Sequence, residues 1–249
     1  MVDRVLTATR MGFRDQLRRP LMLALLAAVP IIFISWSARV TSETPRRIAL
    51  PGGGHVLTDM RALFTVVDAP IAIAFLAGLV GVFVIESALQ SDRRLVIAGY
   101  SPGQTIAPRL LVIGAAVVVI SAVSLVVMAF WFTPEAWFPF IFANVLVGLI
   151  YAAIGALSGT LMGRLGAVYF IFFLPTVDIG IAQDPLFFNG DPQGWATALP
   201  GYGPTRMIID AGYTTGFDTV VALIAALAWV AVLGAALAVV LRRAVAPRR

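Results

Sequence analysis

The chain has 249 residues, 60% of them hydrophobic and only 12% charged, whereas soluble domains run at about 45–50% and about 25%. That balance excludes an ordinary water-soluble domain, because apolar runs of roughly 18 residues or more recur, and each can cross a hydrocarbon core of about 30 Å as a helix. All 18 basic residues are arginine, the formal net charge is +5 and cysteine is absent. The lack of cysteine removes disulfides and thiolate metal sites, and the scatter of arginines between apolar runs argues against nucleic-acid binding.

In chain order, the first segment carries Arg4, Arg10, Arg14, Arg18 and Arg19, while Val2, Val5, Leu6, Phe13 and Leu17 group along one helical side. Residues 1–19 therefore read as an amphipathic elbow helix lying in the membrane interface. A plain positively charged flank of the first span and a cleavable signal peptide are the alternatives. Spans are expected at about 21–38, 70–89, 110–132, 137–162, 167–181 and 219–241, which makes 1–249 a single all-α transmembrane domain with six transmembrane helices. Asp68 is placed to cap the second span with Pro70 in its first turn, and Asp218 to cap the sixth. Between spans one and two, RRIALPGGGHVLTD holds two β-capable pieces around a glycine turn, which predicts a small hairpin. Its His55 is the only histidine in the chain and reads as solvated. Between spans five and six, 183–217 is dense in proline, glycine and aromatic residues, which suits a re-entrant or interfacial outer segment better than a free loop.

Six spans put both termini on one side. If that side is cytoplasmic, thirteen arginines lie inside and five (Arg39, Arg46, Arg47, Arg61 and Arg206) lie outside, as the positive-inside rule requires. The charged interval ESALQSDRRLVIAGYSPGQTIAPR, residues 86–109, is then cytoplasmic. Ser91 or Asp92 can cap a short helix that Gly99 ends, and Ser101, Pro102 and Gln104 form a capping-box pattern that opens the next one. The expectation is a compact knob of helix, turn and helix.

Ionisable side chains at membrane depth are expensive, so each is a candidate for substrate contact or gating. Glu86 and Asp178 qualify, with Asn144 in span four. Glu86 reads equally as a group that snorkels or pairs with a nearby arginine, Asp178 as the cap of a helix break after Pro175, and Asn144 as interhelical glue. Gly155, Gly159 and Gly163 recur at four-residue spacing and mark close helix packing, within the subunit or between subunits. No Walker loop, HExxH, GxSxG or dinucleotide fingerprint occurs. No catalytic residue and no metal-ligand set is therefore assigned.

The order of these features resembles the permease subunits of ATP-binding-cassette exporters of the second type, the family of drug, lipid and polysaccharide exporters. The features are the Arg-rich segment before span one, the loop ESALQSDRRLVIAGYSPGQTIAPRL, and LPGYGPTRMIIDAGY before the last span. The resemblance covers essentially the whole chain and rests on order and topology. It implies a cytoplasmic coupling helix between spans two and three that sits in a groove of a separate ATPase, with Asp92, Arg93, Arg94, Leu95, Gly99 and Tyr100 in or beside it. The chain departs from the family there, with Arg-Leu-Val-Ile-Ala where many relatives have a Gly-Thr-Leu-Glu-like run.

The implied assembly holds two permease subunits, identical or homologous, with two copies of the ATPase. It sits in the lipid bilayer of a prokaryotic inner membrane, with both termini cytoplasmic. On that reading the chain is not an enzyme and binds no cofactor, since ATP and Mg belong to the ATPase. It moves a hydrophobic or amphipathic substrate outward along spans one, two and five. The alternative is an ATP-independent membrane transporter or a membrane scaffold whose inner loop merely connects spans.

Overall fold

The computed structural model describes residues 10–11, 20–187, 192 and 194–245. The elbow expected over 1–19 lies outside the described residues, apart from Arg10 and Met11, which are helical and exposed. The described chain is mainly helical: α1 (Pro20–Val40), a hairpin of β1 (Pro45–Ala49) and β2 (His55–Asp59), α2 (Met60–Ile97), α3 (Pro102–Ala129), α4 (Trp137–Val177), a π-helical turn (Asp178–Ala182), α5 (Tyr202–Tyr213) and α6 (Val220–Val245). Four helical stretches are long and apolar enough to cross a membrane: Met60–Ile97, Pro102–Ala129, Trp137–Ala182 and Val220–Val245. Their outward faces carry Val118, Val126, Phe138, Phe172, Val221 and Ile224, all exposed. An apolar face of that extent belongs against lipid or another apolar surface.

Helix α2 begins ten residues before the expected position. Asp59 caps it, its Oδ1 accepting the Ala62 N–H at 2.7 Å, so Asp68 and Pro70 are interior residues of the helix and not its start. Apolar runs mark only the part of a helix at lipid depth. At 38 residues and 1.5 Å per residue, α2 is about 57 Å long, well beyond a hydrocarbon core of about 30 Å. It therefore has two distinct ends, one at the hairpin and one at the arginines after Glu86. In the hairpin, β1 and β2 pair antiparallel, Ala49 opposite His55, across the expected glycine turn, where Gly53 and Gly54 have positive φ. Buried Ile48 faces the bundle.

Helix α4 runs through 41 residues across what reads in sequence as two spans, but its backbone breaks at Gly163 (φ 72°, ψ 172°). Tyr151 and Asp178 show what the break does. Twenty-seven residues apart, they would lie about 40 Å apart on a straight helix, yet the Tyr151 hydroxyl donates to Asp178 Oδ2 at 2.7 Å. The chain therefore reverses near Gly163 and α4 folds back as two arms. Nothing would touch a Cβ at Gly163, so this glycine supplies a left-handed backbone, while its two predecessors pack.

Helix α2 lies in the groove of α4. A Cβ at Gly155 would lie 2.7 Å from the Gly78 carbonyl carbon, and one at Gly159 3.3 Å from Val82 Cα. Both glycines thus serve a contact within the chain. Ile171 of the returning arm reaches the other side of the same Gly78.

Helix α5, with 12 residues, rises only about 18 Å. It is buried along α6, where Gly203 faces Ala222 and Ala226. Its far end meets the turn before α4, since Ala136 N–H donates to Ala211 O at 2.9 Å.

Candidate functional site

The arginines from Arg39 to Arg243 divide between the two ends of the bundle. At the hairpin end stand Arg46, Arg47 and three neighbours fixed nearby: Arg61, bonded to Glu43, Arg206, whose Nη2 donates to Pro51 O, and Arg39, 5.9 Å from the Trp131 ring centre. At the opposite end stand Arg93, Arg94, Arg109, Arg164, Arg242 and Arg243. Separation of this kind is what a chain crossing a membrane produces, because guanidinium groups are held at the interfaces.

The turn between α2 and α3 is built as its local sequence demands. The Tyr100 N–H bonds to Leu95 O and the Gly99 N–H to Val96 O, with Gly99 at φ 93°. This is the double-bonded helix ending that places glycine after the cap. Helix α3 then starts at Pro102, with the Gln104 Oε1 accepting the Ser101 N–H at 3.0 Å. The expected short, separate helix over 91–98 is replaced by the last turns of α2, which run on unbroken from Met60. No helix-breaking residue lies between Glu86 and Ala98, so α2 has no reason to stop.

Two polar contacts pin this end. Asp92, buried, pairs with Arg109 on α3, Nη2 to Oδ1 at 3.2 Å. Arg93 Nε donates to the Ala244 carbonyl near the end of α6 at 2.6 Å, a cation satisfying a terminal carbonyl of the helix. The remaining side chains point away: Arg94 and Leu95 are exposed, and Ile97 is 74% exposed. An isoleucine left that open at a braced helix end, next to an arginine, is not part of this core. Gly99 and Tyr100 form the turn beside it.

The three candidates for gating do not converge. Glu86 faces Arg164 at 3.8 Å, both partly exposed, at the arginine end where α4 turns back. Its partner is thus Arg164 and not the Arg93–Arg94 pair. Asp178 lies at the far end of the returning arm, buried, and accepts from Tyr151 and from the Gly201 N–H at 2.8 Å. It ties the π-helical turn to the start of α5. Asn144 is buried and donates to Phe140 O within its own helix at 2.9 Å, so its amide N–H does not bridge helices.

Three other polar groups have placements that the sequence does not show. Asp210 accepts from Thr214, Thr219 and the Asp218 N–H, organising the turn into α6. Asp68 is buried in the interior of α2, with one carboxylate oxygen lacking a hydrogen bond among the described residues. Tyr151 is visible only through the fold-back that brings it to Asp178.

Outside the spans, burial raises Asp184 above the ordinary aspartate value, partly offset by the Leu186 N–H. Burial also raises Tyr213 to about 12, eased by the Thr58 hydroxyl and reinforced by Asp59. Among the described residues no group of His, Cys, Asp or Glu is arranged to hold a metal. No protein-family model and no curated protein matches the chain.

Proposed function

We propose that this chain is the membrane permease subunit of an ATP-driven exporter of the ATP-binding-cassette second type. The observation that carries the reading is the braced α2–α3 turn. Asp92–Arg109 and Arg93–Ala244 hold it rigid to three helices, while Arg94, Leu95 and Ile97 are left open. A rigid projection fixed to several helices can transmit the push of a docked ATPase into the bundle. On this reading the polypeptide makes six passes: α1, α2, α3, the two arms of α4, and α6. The arginine end is cytoplasmic, in a prokaryotic inner membrane, and α5 is a re-entrant helix. A second permease, identical or homologous, completes the pathway and two ATPase subunits supply ATP and Mg. The ATPase drives the cycle only if it binds the inward- and outward-facing forms with different affinity.

Co-expression with an ATPase encoded beside the gene provides the test. The complex should co-purify, and Arg94→Glu with Ile97→Glu should abolish retention while membrane insertion persists. An ATPase that never co-purifies sinks the proposal. A second reading, an ATP-independent transporter, is favoured by one observation, the buried Asp68 with its unpaired oxygen. Transport in ATPase-free vesicles driven by a pH gradient would select it.

A further inference from the structure

The motif RRIALPGGGHVLTD plays no part in the α2–α3 turn, yet it builds a cavity. Between the hairpin and the chain that follows the π-helical turn lies an open cavity of about 650 Å³, lined by Arg46, Arg47, Ala49, His55, Met60, Pro185 and Leu186. That is the size of a small-molecule site. Among the described residues its lining is asymmetric: the hairpin contributes Arg46, Arg47 and His55, and Ala49, Met60, Pro185 and Leu186 are apolar.

Among the described residues that line the cavity there is no carboxylate. Among the described residues neither Arg46, Arg47 nor His55 has a carboxylate partner. Glu43 is taken by Arg61. Asp59 Oδ1 caps α2. Asp184, the acid nearest in sequence to the far wall, accepts the Leu186 N–H at 2.8 Å and does not line the cavity. An anion entering the cavity would therefore meet arginine with no competing carboxylate among the described residues.

We propose that this cavity binds an amphiphile bearing an oxyanion, a phosphate monoester or a carboxylate on an apolar body. An arginine guanidinium presents a fork of donors that matches two oxygens of such a group. Ala49, Met60, Pro185 and Leu186 take the apolar part. The inference holds whether or not an ATPase drives the chain, because it concerns binding alone.

Hexyl phosphate is the probe, titrated calorimetrically into the full chain in nanodiscs of zwitterionic lipid, with empty nanodiscs subtracted. Inorganic phosphate and hexanol are the comparators. Saturable binding of one hexyl phosphate per chain is expected, weakening with added salt. Inorganic phosphate should bind more weakly, by about fourfold for each methylene the cavity buries, and hexanol should not saturate. Arg46→Gln with Arg47→Gln should weaken hexyl phosphate at least tenfold, while Arg61→Gln, whose guanidinium already holds Glu43, should leave it unchanged. If the double glutamine variant does not fold, Arg46→Lys with Arg47→Lys keeps the charge without the fork and should weaken binding several-fold. Absence of saturable heat, or equal affinity in wild type and either double variant, overturns the site. Equal affinity for hexyl phosphate and inorganic phosphate overturns the amphiphile class.

Discussion

Replacing Gly155 with alanine tests the α2–α4 contact at its tightest point. The added Cβ would lie 2.7 Å from the Gly78 carbonyl carbon and 2.9 Å from Gly78 Cα, against an ordinary carbon–carbon contact of about 3.5–4.0 Å. Both obstacles are backbone, so no rotamer change relieves them and the helices must part by roughly 1 Å. Ile171, which packs on the same glycine from the returning arm, would be displaced too. Overpacking of this kind costs roughly 1–3 kcal/mol, which lowers a thermal midpoint by roughly 2–12 °C at about 2–4 °C per kcal/mol for a chain this long. Removing a helical glycine works the other way, by about 0.5–1 kcal/mol.

Gly114→Ala isolates that opposing effect, since nothing lies within 4 Å of its Cβ position, and it should be neutral or slightly stabilising. Gly159→Ala, with a 3.3 Å approach to Val82 Cα, should fall between the two. The assay is thermal unfolding of detergent-purified protein followed by its tryptophan fluorescence. If Gly155→Ala and Gly114→Ala shift the midpoint alike, the backbone contact is not what limits this interface.

Arg109→Leu should destabilise by roughly 1.5–3 kcal/mol, because it strips a charged hydrogen bond from buried Asp92; a double-mutant cycle with Asp92→Asn should show coupling between the two, and additive losses would refute the pair. Tyr151→Phe removes the hydroxyl that donates to Asp178 and should cost about 1–3 kcal/mol, with much of the loss absent when Asp178 is already asparagine. Asp184 has a raised value in the folded chain, so the folded state binds the proton more tightly. Stability should therefore fall as pH rises from the ordinary value of 3.8 through the raised one. Unfolding midpoints across that window should decline in wild type and flatten in Asp184→Asn, and a midpoint that rises there would contradict the burial argument.

Much of the fold is legible in one sequence because its signals are local. The apolar excess and the length of the runs announce membrane-suited helices. The glycine turn announces the hairpin, and Gly99 with Ser101 and Gln104 announces where α2 stops and α3 starts. Helix limits were less legible, since a run of apolar residues marks depth in lipid and not the hydrogen bonds that continue beyond it. For that reason Asp68 looked like a cap when Asp59 does the capping, and the interval after Glu86 looked like a separate helix when it is the end of α2.

The sites divide along the same line. Asp92, Arg93 and Arg94 stand out in sequence as charges between apolar runs, but only tertiary contact separates the first two, which brace the turn, from Arg94, which is exposed. The glycines of α4 announce close packing without naming its object. Gly78 on α2 decides that Gly155 packs within the chain, and an open surround decides that Gly163 serves the fold-back instead.

Composition and spacing by themselves determined that this is a helical protein suited to a membrane, with a hairpin and a capped turn at its loops. They do so because hydrophobic length and backbone capping depend on neighbours along the chain. The reversal that joins Tyr151 to Asp178, the bracing of Arg93 on Ala244 and the gathering of Arg46, Arg47 and Leu186 around one cavity came only from tertiary structure. Each joins residues distant in sequence through distances that no local pattern encodes.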